Sequence, residues 1–306
     1  CLHHVENVTI PSFIKHIGMF CFSGCDQLKT VNFLDDSQLE IIDISAFSDS
    51  SIEEFDIPSN VIEIMKECFS NTYNLTSIKV SPKNKQFICF DEKMIIRKSS
   101  CESENYDVLV FCIQNVEEIT IPSFVTIIGS TTFYRNSSIQ KVEFLNDSQL
   151  QIIEDDAFAE SSIESITFPP HLKRIDAYAF NDCENLSTVK IPGNSELKII
   201  GKEVFSHSSI ESITIPPHLK IIKKGTFSYC YNFKNVEIPP NSELQIIEPN
   251  AFEESPIKSF LIPPHLTHIC ESAFLLCNKL KTITFHSNSE LQRIEDSAFA
   301  GSNIET

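Results

Sequence analysis

The chain has 306 residues, of which 42% are apolar, so it can bury a large core and is not disordered. Twenty-four Lys and Arg stand against 42 Asp and Glu, a net charge of −18, which disfavours a nucleic-acid or anionic-membrane partner because both need a basic face. The 24 Phe, 7 Gly and no Trp are an unusual mixture for an α/β enzyme and suggest one position copied many times.

From the N-terminus onward the copied position is Phe22, Phe47, Phe69, Phe111, Phe133, Phe158, Phe180, Phe205, Phe227, Phe252, Phe274 and Phe299. Apart from the step between Phe69 and Phe111, the spacing alternates between 25 and 22 residues, the mark of a solenoid. A short unit reads Ile-Glu-Ser-Ile-Thr-Ile-Pro-Pro-His-Leu from Ile210, and a long unit begins at Leu186 or Phe233. Apolar residues at unit positions 1, 4 and 6, such as Ile210, Ile213 and Ile215, predict a strand with period two, ended by proline, followed by a second apolar pair. A single unit cannot bury its apolar row, so the units must stack.

The step from Phe69 to Phe111 is 42 residues, 17 more than a long unit. The excess lies in residues 81–110, where two apolar runs around Asp91-Glu92-Lys93 predict a β-hairpin, with a polar loop from Lys98 to Asp107 before the next strand. The register on either side is intact, so the expectation is an insertion within a single domain spanning 1–306. The first unit, from Val5, is already regular and the final residues restart the pattern, which predicts that both ends cut through a longer array. No run of about 18 apolar residues predicts a membrane span, and residues 1–10 lack the basic start and apolar stretch of a signal peptide.

The stretch 163–186 has the form L-x-x-I-x-I-P-x-x-L-x-x-I-x-x-x-A-F-x-x-C-x-x-L, with Ala179-Phe180 and Cys183 in place. It resembles the BspA-like class of leucine-rich repeats over the whole chain except the insertion. The fold this implies is a leucine-rich repeat solenoid of right-handed stacked coils, with a long parallel β-sheet, short turns or 3-10 segments on the other face and one β-hairpin insertion. The resemblance also implies a surface-exposed or secreted protein of oral or gut bacteria or mucosal protists, associated with adhesion to host-cell or matrix proteins. The chain departs from the pattern where Ser161, Ser208 and Ser255 replace cysteine. The same solenoid inside a cell would serve as a scaffold for protein partners, the alternative reading.

Three further features could carry chemistry. His171, His218 and His265 recur every 47 residues, two coils apart. At about 4.8 Å per coil they are about 10 Å apart, too far to share a metal, so Pro-Pro-His reads as a turn. Cys183, Cys230 and Cys277 follow the same step and read as filling small gaps beside the Phe stack; Cys89 and Cys101 are the pair considered for a disulfide. No nucleophile motif, glycine-rich phosphate loop or cofactor signature is present, so no catalytic, cofactor or metal residue is assigned.

The binding surface is sought instead at unit positions 3 and 5, which face outward if 4 and 6 face the core. Variation concentrates in the first half, whose charged members Glu54, Asp56, Lys79, Glu118, Lys141 and Glu143 are the candidates; the C-terminal half is mostly Ser and Thr, with Lys190 and Glu237 among them, and the insertion adds Phe87, Phe90, Arg97 and Tyr106 as candidate contacts. The bland account of the insertion is a hairpin covering a break in the stack. Sequons at Asn7, Asn74, Asn136, Asn146 and Asn185 are possible N-glycosylation sites.

Overall fold

Alternating apolar residues in each unit need one buried face, and a strand supplies it by pointing successive side chains to opposite sides. In the computed structural model, which describes residues 4–100 and 102–305, each such run is a strand of three or four residues. The chain packs as two compact units. The first comprises residues 1–117 and 127–139, the second 118–126 and 140–306.

In the first unit, strands Asn7–Ile10, Thr30–Phe33, Glu54–Ile57 and Ser77–Val80 form a parallel sheet in register, with Asn7 beside Thr30 and Glu54 beside Ser77. In the second, Glu118–Ile121, Lys141–Phe144, Ser165–Thr167 and Thr188–Lys190 form the same arrangement. Two further parallel pairs follow, Ser212–Thr214 with Asn235–Glu237 and Ser259–Ile262 with Thr282–Phe285. In the short units positions 4 and 6 face the core, as buried Ile213 and Ile215 illustrate, while Ser212 and Thr214 at positions 3 and 5 are exposed; in the long units position 6 is half-buried, as at Phe33 and Phe144, or exposed, as at Phe285.

Away from the long strands the chain has the expected short turns, and it adds a second set of strands to them. The second apolar pair of each unit forms two-residue strands in a parallel ladder of its own: His16–Ile17, Ile41–Ile42 and Glu63–Ile64 in the first unit, and Ile152–Ile153, Arg174–Ile175 and Ile199–Ile200 in the second. Ile221–Ile222, Ile246–Ile247, His268–Ile269 and Arg293–Ile294 form another ladder in the second unit.

The phenylalanines sit in turns that close each coil. In the first unit Phe22, Phe47 and Phe69 stack at 5.2 and 5.8 Å. In the second, the series from Phe158 to Phe299 stacks at 4.8 to 5.7 Å, close to the spacing of neighbouring strands. Each turn bends through left-handed backbone two residues before and two residues after its Phe: Asp156 and Glu160 flank Phe158, and Tyr178 and Asp182 flank Phe180, all with φ between 54° and 60°. Thr131, at φ 58°, is the β-branched residue among them and the most strained by its Cβ. Thr131→Asn is expected to raise stability by up to about 1 kcal/mol in denaturant melts, since Asn tolerates this conformation; a loss of stability would show that the threonine methyl packs productively.

Three residues after each Phe lies a buried polar column. Ser50 and Ser208 hydroxyls donate to the carbonyl of their own coil's Phe, Phe47 and Phe205, both at 2.7 Å. Cys183, Cys230 and Cys277 thiols reach back one coil to the carbonyls of Phe158, Phe205 and Phe252 at 3.0, 2.9 and 3.0 Å. These cysteines therefore do more than fill apolar gaps: they add a cross-coil hydrogen bond to carbonyls that already accept the amides of Ser161, Ser208 and Ser255 within their own turns.

The insertion is a three-stranded antiparallel meander. Phe87–Phe90 pairs with Met94–Lys98 across Asp91 and Glu92, both left-handed, and Met94–Lys98 pairs with Tyr106–Cys112. The last strand then pairs in parallel with Ile127–Ile128, returning the chain to the coil. Phe111, carried on this strand rather than a turn, still places its ring 5.2 Å from Phe69. Asn84 anchors the start of the insertion: its amide donates to the carbonyls of Pro58 and Val61, and its Oδ1 accepts from the amides of Gln86 and Phe87.

Candidate functional site

The six candidate outward charges fall into two groups, with Lys190 and Glu237 further along the second unit outside both. In the first unit, adjacent strands bring Glu54 beside Ser77 and Asp56 beside Lys79, all exposed except half-buried Ser77, next to an open groove of about 600 Å³ that Asp56 and Lys79 help to line. In the second, Glu118 lies beside Lys141, and Lys141 pairs with Glu143 at 2.5 Å. A hydrogen bond to Glu143, together with the charges of Glu143 and Glu118, holds the Lys141 ammonium above its ordinary range. A second groove, about 560 Å³, opens beside Lys141 and Glu143. Both are shallow surfaces bearing fixed charge, suited to contact with another macromolecule rather than to enclosing a small substrate.

The insertion residues do not act together. Phe87, expected at the surface, is 2% exposed and joins the core with Ile95 and Phe111, because the meander lays that ring under the coil it interrupts. Phe90 is 39% exposed. The Arg97 guanidinium donates to the Lys98 carbonyl, and the Tyr106 hydroxyl donates to the Lys85 carbonyl while Lys98 lies over its ring. Cys89 has a free thiol donating to the Ile78 carbonyl, and Cys101 lies outside the described residues.

Four sequon asparagines, Asn7, Asn74, Asn146 and Asn185, are exposed. Asn136 is corrected: it is fully buried in the column three residues after Phe133, where its Oδ1 accepts from the amides of Ser138 and Ile139, so it has no room for a glycan.

The histidines lie in Pro-Pro-His turns, closed by Leu172, Leu219 and Leu266 amides donating to Pro169, Pro216 and Pro263. Each pairs with a carboxylate of the next coil: His171 with Glu196 at 2.9 Å, His218 with Glu243 at 2.8 Å and His265 with Glu290 at 3.5 Å. Hydrogen bonding from the imidazole lowers the pKa of Glu196 and of Glu243. No group of three or more potential metal ligands gathers among the described residues.

Sequence reasoning missed an aromatic cluster on the Phe turns of the second unit. His207 stacks on Tyr229 at 4.7 Å, with Tyr231 at 6.5 Å from Tyr229 and 62% exposed. Aligning residues by their offset from Phe205 and Phe227 would have stacked His207 on Tyr229; the repeat consensus averages them away.

Comparison with known proteins gives the fold an ancestry. No curated protein sequence matches the chain. Among solved structures, a leucine-rich repeat protein from Bacteroides ovatus is 22% identical, covers 97% of this chain and 76% of its own, and superposes with a TM-score of 0.68. A leucine-rich repeat protein from Eubacterium ventriosum is 21% identical, with 99% and 78% coverage and a TM-score of 0.65. The pneumococcal vaccine antigen PcpA is 21% identical, with 95% and 68% coverage and a TM-score of 0.66. At these identities the likeness shows a shared fold. The BspA type leucine rich repeat region matches residues 1–103, 105–206 and 198–306 in six copies, and the chain belongs to that family.

Proposed function

We propose that this repeat array is a non-enzymatic recognition module that works outside the cell, holding host cell-surface or matrix proteins through its outward strand positions. One observation carries the reading: positions 3 and 5 are kept in register from strand to strand and face outward, and six of their charges are gathered into two open surfaces, Glu54 with Asp56 and Lys79, and Glu118 with Lys141 and Glu143. Such a surface binds through many simultaneous weak contacts, so avidity replaces a deep pocket. Among the solved relatives, PcpA is a vaccine antigen, and an exposed position for this chain accords with that.

Protease shaving of intact cells that carry the full-length protein, with glycosidase-shift mass spectrometry, tests the location. The expected result is cleavage on intact cells, with glycans among Asn7, Asn74, Asn146 and Asn185 and none on Asn136. A protected, unglycosylated protein would instead favour a scaffold inside the cell.

A further inference from the structure

One step of the short-strand ladder in the second unit is open. At the step before it, Lys198 and Ile199 amides donate to the Lys173 carbonyl at 3.0 and 3.3 Å, and Gly201 donates to Ile175 at 2.8 Å. At the step after it, Gln245 and Ile246 amides donate to Lys220 at 2.8 and 3.2 Å, and Glu248 donates to Ile222 at 2.9 Å. Between Ile199–Ile200 and Ile221–Ile222 none of the three equivalent bonds is made among the described residues, and the two strands belong to different sheets. The coils stay joined at their turns, where Glu203 donates to Lys224 at 2.9 Å, Phe205 donates to Thr226 at 3.0 Å and the Phe205 and Phe227 rings stack at 5.7 Å. They are thus closed on the Phe side and parted on the strand side. A groove of about 820 Å³ occupies the parting.

The groove has a definite chemistry. Lys198, Lys220 and Lys223 line it, and none of them forms an ion pair among the described residues. The carboxylates beside them, Glu196 and Glu243, are already bonded to His171 and His218. Between the lysines lie Ile199, 44% exposed, and half-buried Ile221. The carbonyls of Lys198 and Ile200 lack the amide partners that their counterparts have at neighbouring steps and are left to accept other hydrogen bonds. Residues 171–224 hold eight Lys and Arg against six Asp and Glu, in a chain whose net charge is −18. The reversal of sign is local.

We propose that this groove binds an acidic oligosaccharide, a sugar chain carrying carboxylate or sulfate groups. Lys198 and Lys220 stand on either side of the opened step with Lys223 beside them, so the groove presents a cluster of cations to a polymer that carries closely placed anions. Isoleucine side chains offer an apolar floor for the C–H faces of sugar rings, and the freed carbonyls accept from hydroxyls. A single-stranded nucleic acid would need a series of aromatic platforms for its bases, and the one aromatic ring lining the groove, His218, is held by Glu243. The proposal extends beyond the protein-recognition reading, since it concerns the short-strand face and neither requires nor excludes a protein ligand on the long strands.

The test is calorimetric titration of the full chain with a sulfated heparin-derived hexasaccharide, beside its desulfated counterpart. Expected are saturable binding that weakens as salt rises, a loss of at least tenfold in Lys198→Gln/Lys220→Gln/Lys223→Gln, and no change in Lys279→Gln, an exposed lysine outside the groove. These lysines are surface groups, so thermal melts of the triple variant should match the parent; if they do not, Lys220→Gln alone is used and should weaken binding at least threefold. Absence of saturable binding, equal affinity of the lysine variants, equal affinity of the desulfated sugar, or displacement by equimolar inorganic sulfate would each overturn the assignment. Any of these leaves the shaving experiment, and the reading it tests, unaffected.

Discussion

Phe180→Ala is expected to destabilise the protein by about 3 to 5 kcal/mol in denaturant melts, the range for emptying a packed aromatic site. The ring is fully buried, stacked on Phe158 at 4.8 Å and Phe205 at 5.7 Å, with Phe168 edge-on at 5.8 Å. A cavity there removes contacts to the coil before and the coil after together. Stability in a stacked array is close to a sum of unit and neighbour terms, so loss at an interior position weakens two interfaces. Phe285, 58% exposed on strand Thr282–Phe285, provides the contrast, since its replacement by alanine should change stability by less than about 0.5 kcal/mol. Similar costs at the two sites would mean that the Phe stack is not the core.

The features legible in the sequence were those repeated in every coil. Ile213 and Ile215 face the core because the strand period and the copy number point the same way, and the 25- and 22-residue steps place every stacked ring. The second ladder was not legible, because a two-residue strand such as Ile221–Ile222 is too short to show alternation. Nor were the left-handed positions, which Thr131, Tyr178 and Leu276 occupy without a glycine signal. Phe87 lies outside the repeat register, so nothing local told which way its ring would turn. Asn136 is different: its offset of three from Phe133 is the offset at which Cys183 and Ser208 are buried after Phe180 and Phe205, and that repeat position outranks the sequon. The lysine column at 173, 198 and 220 could be read by stacking units, but the opened ladder beside it depends on backbone bonds that composition does not record.

Thiol ionisation should set an alkaline limit on the fold. Burial pushes the Cys183, Cys230 and Cys277 thiols up to about 12, with hydrogen bonds from Ser161 and Ser208 partly opposing the rise at the first two, and burial does the same to Cys112. In the unfolded chain the same groups titrate near 9. The folded pKa is the higher one, so the stabilisation is fully present below about pH 9 and is lost progressively as pH rises toward about 12, where the unfolded state releases protons that the native state retains. Melting temperature is therefore expected to fall steeply across that window. Lysine and tyrosine titrate there too, so the diagnostic comparison is Cys183→Ser/Cys230→Ser/Cys277→Ser. Serine is already accepted in this column, where Ser208 and Ser255 hydroxyls donate to Phe205 and Phe227 carbonyls at 2.7 and 2.5 Å. A serine ladder keeps the cross-coil hydrogen bonds and has no ionisation in the window, so its decline should be shallower than the parent's; an equally steep decline would show that the thiols do not limit the fold.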